Sequence, residues 1–270
     1  MTGERRAYGR RGSPPAVLVP LAGLAIAFVT LPFIGLVQRV PWSDLGHALD
    51  SSVVTDALRL SVLTALAATG LSLLFGIPLA WVLARSPFPG RSLVRALVTL
   101  PMVLPPVVGG AALLFTLGRR GLVGQYLDSL LGVRITFTTA AVVLANTFVA
   151  MPFLVVTVEG ALRSTDRRYE EAAATLGAGR WTVFRRVTLP LVAPSVGAGA
   201  VLCWARALGE FGATVTFAGS LQGRTQTMPL AVYQALERDR GAAIVLSLLL
   251  VGVSLTVLVL LRGRWFPVAT

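Results

Sequence analysis

Two residues of opposite charge, Arg206 and Glu210, lie four positions apart at the end of a strongly apolar run. Residues spaced i and i+4 share one face of an α-helix, so these side chains can form an ion pair. A charge inside a membrane is costly, and it faces either a helix bundle or a water-filled cavity. The pair is therefore either a structural clamp at the helix end or part of a gate, where Arg206 could attract an anion.

A second cluster lies in the polar stretch that follows residue 158. The acids and alanines at its start favour a short helix, because acids suit the first turn and alanine is the strongest helix former. Gly177 can end that helix in a left-handed conformation. Trp181–Val187 then predicts a second short helix, and Leu189 and Pro190 begin the next apolar run. The residues of interest are Glu170, Glu171, Ala172, Ala173, Gly177, Leu189 and Pro190.

The composition excludes several kinds of chemistry. All 24 basic residues are arginine, so the chain cannot build the lysine-containing P-loop of an ATPase or a Schiff base. The only cysteine, Cys203, lies in an apolar run, and the only histidine, His47, lies in a loop. We therefore expect no disulfide within the chain, no metal site, no catalytic residues and no cofactor.

The hydrophobicity of the chain predicts an integral membrane protein. Only 13% of its residues are charged and its mean hydropathy is +0.76, whereas soluble domains are roughly 25% charged. Six segments lack charged residues for at least 19 positions, and a helix of roughly 20 residues crosses a bilayer core. No alternation with a period of two suggests a barrel, so we predict an all-α fold. The predicted spans are residues 16–37, 60–84, 96–118, 135–158, 187–211 and 241–261.

Arginine counts orient these spans. Fifteen arginines lie in the two terminal segments, the connection around residues 85–95 and the loop at 159–190, against eight in the other three connections. Cytoplasmic segments carry the excess of basic residues, so both termini and the 159–190 loop are predicted to be cytoplasmic. Orientation explains the basic clusters, and nucleic acid is not an expected partner. We predict one membrane domain over residues 16–264, with tails at 1–15 and 265–270.

Prolines and glycines mark the third predicted span. Pro101, Pro105 and Pro106 precede Gly109 and Gly110, a pattern that predicts a broken or kinked helix. Such a break is tolerated in a membrane only where neighbouring helices or a cavity satisfy the freed backbone groups. The break is therefore either a packing kink or an element that lines a transport pathway.

The segment between the fifth and sixth spans is not a clean crossing. Residues 211–223 form an uncharged run of 13 residues, too short to cross a bilayer. Apolar residues spaced three and four apart over residues 225–237 predict an amphipathic helix. We place this helix at the outer membrane surface or in a short re-entrant piece.

The loop resembles the EAA loop of ATP-binding-cassette (ABC) importer permeases. That pattern is E-A-A, three residues, Gly, nine residues, Ile, one residue and Leu-Pro. Every spacing from Glu171 to Pro190 matches, with Val187 in place of Ile. The resemblance implies a six-helix type I ABC importer transmembrane domain, multi-pass in the cell membrane. Its cytoplasmic coupling helices, which include the loop residues named above, would dock on separate ATPase subunits that bind ATP and magnesium.

A narrower resemblance to molybdate-type permeases covers most of residues 55–260. It rests on the segments 100–110, 118–121, 206–219 and 223–233. The resemblance implies a homodimer of this chain, two ATPase subunits and an extracytoplasmic oxyanion-binding protein that delivers molybdate. Sulfate, thiosulfate and tungstate permeases share the Gly209–Gly212 core and remain alternatives.

An oxyanion leaving its binding protein would be helped by hydroxyls, backbone N–H groups and positive potential. Pathway or gate candidates are Pro105, Pro106, Gly109, Arg206, Glu210, Thr214 and Thr216.

Two other classes of membrane protein compete with this interpretation. An ion-coupled secondary transporter needs acidic residues within its spans, and Glu210 is the only such candidate. An integral-membrane enzyme needs clustered acids, histidines or cysteines near the interface, but the 12 acids are scattered and lie mostly in loops. Association of an ATPase subunit with the Glu171 loop would discriminate the importer from both.

Overall fold

The computed structural model describes residues 17–43, 46 and 51–265, and these form helices joined by short connections. The predicted N-terminal tail, His47 and residues 266–270 lie outside the described residues. The helices are α1 (Leu18–Gln38), α2 (Ser52–Arg85), α3 (Arg91–Val103), α4 (Pro106–Leu117), α5 (Gly124–Leu131), α6 (Thr139–Ser164), α7 (Arg168–Thr175), α8 (Arg180–Val183), a π-helical turn (Phe184–Thr188), α9 (Leu189–Leu208), α10 (Gly212–Phe217), α11 (Met228–Arg238) and α12 (Arg240–Trp265).

Five helical stretches among the described residues are long and apolar enough to cross a membrane. They are α1, α2, α6, the run Arg180–Leu208 and α12. Helices α3 and α4 pass the same test as a pair, but their axes are bent by 118° at the break. The predicted all-α membrane fold is therefore confirmed.

Two consecutive prolines produce the bend between α3 and α4. A proline pushes the residue before it out of the helical region. Leu104 precedes Pro105, which itself precedes Pro106, and both Leu104 and Pro105 are extended, with ψ angles of 139° and 131°. Pro106 then starts α4, where its missing N–H has no consequence. The break predicted from the sequence is present, and it is much sharper than a kink.

Helices α2 and α6 form the centre of the bundle and run parallel to each other. At one end, Arg85 of α2 donates a hydrogen bond to the carbonyl group that follows α6. At the other end, Gln222 donates to Ser52 of α2, and Thr139 of α6 donates to the carbonyl of Arg224. Two parallel helices require the chain between them to return across the bundle, and the α3–α4 pair makes this return. The bent pair therefore counts as one crossing, which gives six within the part of the chain that the structure describes.

The two ends of the bundle can be named by the short helices that lie there. The α7 end contains the last turns of α2 and α6, and the α5 end contains their first turns. Helix α1 ends at the α5 end, where Pro41 lies beside Gly241 at the start of α12. Both α1 and α12 therefore extend from the α5 end toward the α7 end. Helix α1 has no buried residue, so nearly its whole surface is open to lipid or to another subunit.

Small residues let α2, α6 and α9 pack closely in the core. A Cβ atom on Gly76 of α2 would lie 3.2 Å from Leu154 of α6, and one on Gly199 of α9 would lie 3.0 Å from the same leucine. Leu154 is therefore held between two glycine surfaces and is fully buried. Membrane helices commonly associate through small residues of this kind, because lipid provides no hydrophobic drive between them.

Helix α2 begins earlier than the sequence prediction, at Ser52 rather than near residue 60. The prediction counted charge-free residues, and Asp56 and Arg59 interrupt that count although both lie on the first turns of the helix. Helix α6 likewise continues past residue 158 to Ser164, through the charged Glu159. Charge marks the edge of the apolar run rather than the end of a helix.

Candidate functional site

The loop between α6 and α9 folds into a helical knuckle. Helix α7 ends at Thr175, and Gly177 just after it has a φ of +85°, the left-handed conformation expected from the sequence. The N–H of Ala178 donates to the carbonyl of Ala173, and that of Gly177 donates to the carbonyl of Ala174. These two bonds form a Schellman motif, which reverses the chain before α8.

The second arm of the knuckle differs from its prediction. Trp181–Val187 was expected to be a separate short helix, with the next span starting at Leu189 and Pro190. Instead, one continuous helical run extends from Arg180 to Leu208, with a π-helical turn inside it. Pro190 has no N–H to donate to the carbonyl four residues back, and the turn before it widens, so that Leu189 donates to Phe184.

The tip of the knuckle presents apolar side chains to its surroundings. Leu176 is 89% exposed, Trp181 is 69% exposed and Tyr169 is 59% exposed. Glu171 and Ala172 beside them are also exposed. We name these five residues the knuckle surface. Large apolar side chains grouped on a surface with a charged neighbour are typical of a protein interaction site.

Glu170 points in a different direction from Glu171. Its Oε1 atom accepts a hydrogen bond from Nη2 of Arg85 at 3.1 Å and another from Oγ1 of Thr188 at 3.0 Å. The sequence analysis grouped Glu170 with the ATPase-coupling residues, and that role stays a prediction. In the structure its carboxylate bonds to its own chain, at the ends of α2 and of the π-helical turn.

Three aromatic rings connect the knuckle to α2. Phe184 in the π-helical turn stacks on Trp181, with ring centroids 5.6 Å apart, and meets the edge of Trp81 of α2 at 6.3 Å. Aromatic pairs in these geometries stabilise beyond their buried area. The sequence analysis did not identify this link, because nothing in the spacing of residues 81 and 184 brings them together.

A second ion-pair cluster lies near the α7 end. Glu159 of α6 accepts hydrogen bonds from Nε and Nη2 of Arg95 at 3.0 and 2.6 Å, and Arg163 lies 2.8 Å away. Arg95 belongs to α3, so the carboxylate fixes the start of α3 against α6. The i, i+4 spacing of Glu159 and Arg163 was a signal available in the sequence, and the sequence analysis missed it.

Arg206 and Glu210 form the ion pair that their spacing allows. Nη1 of Arg206 lies 2.6 Å from Oε2 of Glu210. Helix α9, however, ends at Leu208 and does not continue through Glu210 to Phe211 as predicted. The other carboxylate oxygen, Oε1, accepts a hydrogen bond from the N–H of Ala213 at 2.8 Å. Glu210 therefore caps α10, and this local bond favours a new helix start over continuation of α9.

The pathway candidates on α4 and α10 come together through close backbone contact. A Cβ atom on Gly110 would lie 2.7 Å from the carbonyl oxygen of Ala213, and one on Gly212 would lie 2.9 Å from Pro106. Each helix thus presents a glycine to the backbone or proline of the other. Pro105 and Pro106 remain exposed at the bend.

The remaining candidates lie inside the protomer in this conformation. Gly109 is buried under Phe148, and Thr214 is fully buried, with its hydroxyl 3.4 Å from Oδ1 of Asn146. Thr216 is half-buried and donates its hydroxyl to the carbonyl of Gly212. Gly109 and Thr214 therefore serve packing in this conformation, and their assignment to the pathway stays a prediction.

Comparison with known proteins places the chain in a family. Residues 72–266 match the family described as "Binding-protein-dependent transport system inner membrane component". The chain is 52% identical over 247 residues to the molybdenum transport system permease protein ModB of Mycobacterium tuberculosis, covering 91% of this chain and 92% of that one. It is 37% identical over 253 residues to the sulfate transport system permease protein CysW of Synechococcus elongatus, covering 89% and 88%.

Solved structures support the same fold. A bacterial ABC transporter involved in the import of the acidic polysaccharide alginate aligns with a TM-score of 0.71 at 21% sequence identity. The alignment covers 94% of this chain and 95% of that chain. At this identity the likeness concerns the fold, which is that of an ABC importer transmembrane subunit.

Proposed function

The chain belongs to the family of binding-protein-dependent transport system inner membrane components, and from this premise we propose that it is the membrane-spanning subunit of an ATP-driven molybdate importer. An extracytoplasmic binding protein delivers the oxyanion, and separate ATPase subunits supply the energy. The choice of molybdate as the substrate rests on the 52% identity to a molybdenum permease over 91% of the chain. The proposed coupling to an ATPase subunit rests on the exposed knuckle surface.

The knuckle surface supports docking of an ATPase subunit. It combines a short helix, an exposed carboxylate at Glu171 and two highly exposed apolar side chains, Leu176 and Trp181. A partner can bury these apolar groups, and a basic residue on the partner can pair with Glu171. We infer that the small side chains of Ala172 and Ala173 let the partner approach the backbone of this helix closely.

The orientation follows from the position of the knuckle. Helices α1 and α12 both extend toward the α7 end, which also holds the arginine-rich loop. Cytoplasmic segments are enriched in arginine, so we place the α7 end and both termini in the cytoplasm. The α5 end then faces outward, where the binding protein would dock.

We infer that two copies of this chain form the pathway between them. The exposed apolar surfaces of α1 and of the α3–α4 bend, including Val103 at 84% exposure, are available to a second copy or to lipid. Two ATPase subunits would bind the two knuckles. ATP binding closes the ATPase pair and opens the pathway outward, and hydrolysis resets it inward, by rocking of rigid helix bodies.

Sulfate is the second candidate substrate, because the sulfate permease of Synechococcus elongatus is 37% identical over 89% of the chain. Molybdate, tungstate and sulfate are all tetrahedral dianions. The permease therefore has little chemical basis for separating them, and we assign selection to the binding protein. The lower identity to the sulfate permease places sulfate behind molybdate.

The test is ATP hydrolysis by the complete complex in liposomes, with its ATPase subunits and binding protein. The binding protein is added loaded with molybdate, loaded with sulfate, or empty. We expect stimulation by the molybdate-loaded form alone. Equal stimulation by sulfate would make the complex a general oxyanion importer. If no ATPase subunit associates with the chain, the importer proposal fails, and an ion-coupled transporter becomes the better account.

A further inference from the structure

One carboxylate oxygen joins three helical elements behind the knuckle surface. Oε1 of Glu170 lies within hydrogen-bond distance of both Arg85 and Thr188. Arg85 is the last residue of α2, Glu170 lies in the first turn of α7, and Thr188 ends the π-helical turn that leads into α9. We name these three residues the Glu170 junction.

The Glu170 junction is shielded from water. The side chains of Arg85 and Glu170 are 7% and 19% exposed, and Thr188 is 1% exposed. Opposite charges interact more strongly in such surroundings than on an open surface, and neither partner can be removed without leaving the other unpaired. Nη2 of Arg85 also donates to the carbonyl of Thr165, directly after α6. The junction therefore reaches the ends of both central helices.

Helical geometry separates the roles of Glu170 and Glu171. Neighbouring residues on an α-helix point about 100° apart, so the two carboxylates cannot face the same partner. Glu171 is exposed and belongs to the knuckle surface, whereas Glu170 points back into its own chain. One acid is thus available to an ATPase subunit, and the other holds the knuckle to the membrane helices.

We propose that Glu170 is a positioning residue that passes movement of the knuckle to α2 and α9 without itself contacting the ATPase. This inference rests on the proposed function. Helix α2 is 34 residues long and packs against α6 and α9 through the core around Leu154. A displacement applied to its Arg85 end is therefore carried as a rigid-body movement into the transport domain.

The aromatic link supports this role from the other arm of the knuckle. Trp181 on the knuckle surface stacks on Phe184, which meets Trp81 of α2. Helix α2 is thus held by an ion pair to α7 and by aromatic rings to the α8 arm. The ion pair is the directional part of this connection, because a hydrogen bond depends on the angle and distance between its atoms more than ring contacts do.

The test uses the complete complex reconstituted in liposomes, with uptake of radiolabelled molybdate and ATP hydrolysis measured in the same sample. Glu170→Gln keeps the size of the side chain and removes its charge. We expect the ATPase subunits to remain bound, while molybdate uptake per ATP hydrolysed falls about tenfold, the effect of losing a hydrogen bond to a charged group. Arg85→Gln should give the same loss, and the double variant should be no worse than either single one.

Glu171→Gln is the matched control, with the same chemical change one residue away. It should weaken association with the ATPase subunits, measured by co-purification, and Glu170→Gln should not share this loss. If Glu170→Gln instead releases the ATPase subunits, Glu170 is a docking residue and the inference is wrong. Unchanged uptake per ATP in Glu170→Gln would also overturn it.

A milder variant covers the case in which Glu170→Gln does not accumulate in the membrane. Thr188→Val removes one hydrogen bond to Glu170 and no charge, and we expect a smaller fall in uptake per ATP. Normal coupling in Thr188→Val would then count against the junction. Failure of the unsubstituted chain to bind any ATPase subunit is a separate result, and it contradicts the proposed function rather than this inference.

Discussion

Charged residues are used differently at the α7 end and in the interior of this bundle. At the α7 end, two ion pairs join residues far apart in sequence, Arg85 to Glu170 and Arg95 to Glu159, beside the local pair of Glu159 with Arg163. In the interior, Arg206 pairs with a residue only four positions away. Long-range ion pairs fix separate helices to one another, whereas the pair of Arg206 with Glu210 shapes a single break in the chain.

Exposure to water does not explain this difference, because Arg85 and Glu170 are 7% and 19% exposed, and Arg206 and Glu210 are 28% and 1% exposed. The difference lies in what holds the helices together beside each pair. Around Arg206 and Glu210, the carboxylate bonds only to the chain segment next to it, at the N–H of Ala213. There the helices are joined by close packing instead, as where Gly110 meets Ala213 and Gly212 meets Pro106.

The largest expected effect comes from removing the interior carboxylate. Glu210→Ala leaves Arg206 unpaired and removes the cap of α10. We expect the free energy of unfolding to fall by about 3 kcal/mol, which is the lower end of the range for breaking a buried ion pair. The value is at the lower end because the side chain of Arg206 still reaches solvent. The measurement is unfolding of the purified protein in mixed detergent micelles, followed by tryptophan fluorescence.

The matched variant at the other end is Glu159→Ala. It leaves Arg95 and Arg163 unpaired, but their side chains are 33% and 46% exposed and can be hydrated. The loss should be about 1 to 2 kcal/mol. If the two glutamate variants lose equal stability, the contrast between the two regions is wrong.

A smaller effect is expected from filling the contact between α4 and α10. A Cβ atom at Gly110 would lie 2.7 Å from the carbonyl oxygen of Ala213, so Gly110→Ala must push the two helices apart. Overpacking of this kind costs about 2 kcal/mol, measured in the same unfolding experiment. Gly160→Ala in α6 is the control, because a Cβ there meets nothing within 4 Å. Since alanine is the better helix former, this control should be neutral or slightly stabilising.

The sequence predicted what depends on local pattern. Apolar runs predicted the membrane helices, consecutive prolines predicted the break before Pro106, and Gly177 predicted the turn of the knuckle. Each of these rests on residues within one or two helical turns, where backbone sterics and hydropathy decide the outcome. The resemblance of the Glu171 loop to the EAA loop of ABC importer permeases predicted the family, and the comparisons confirm it.

The sequence could not predict what depends on packing between distant segments. Nothing in the spacing distinguishes Glu170, which turns inward to Arg85, from the exposed Glu171 beside it. Thr214 was chosen as a pathway candidate because its hydroxyl suits an oxyanion, but in this structure it is fully buried, with its hydroxyl 3.4 Å from Oδ1 of Asn146 in α6. Such assignments require knowing which helix lies opposite, and this is set by tertiary contacts.

The smallest expected effect extends the comparison to the α5 end, where Asp128 lies between two arginines on the surface. Hydrogen bonds from Arg134 and then Arg119 hold the pKa of Asp128 below its ordinary value of 3.8. When folding lowers the pKa of a carboxyl group, its ionised form stabilises the folded state. This stabilisation is complete at any pH above the pKa of the unfolded state. That stabilisation is lost as the pH falls below 3.8 through the folded value.

Asp128→Asn should therefore lower the melting temperature slightly at pH 6, and this difference from the unsubstituted chain should shrink as the pH falls below 3.8. Arg134→Gln should have a larger effect than Arg119→Gln, because Arg134 contributes more to the lowered pKa. Both arginine side chains are at least 60% exposed, so added salt should reduce these differences. A loss as large as that of Glu210→Ala would mean that exposed pairs hold this fold together as firmly as the buried one.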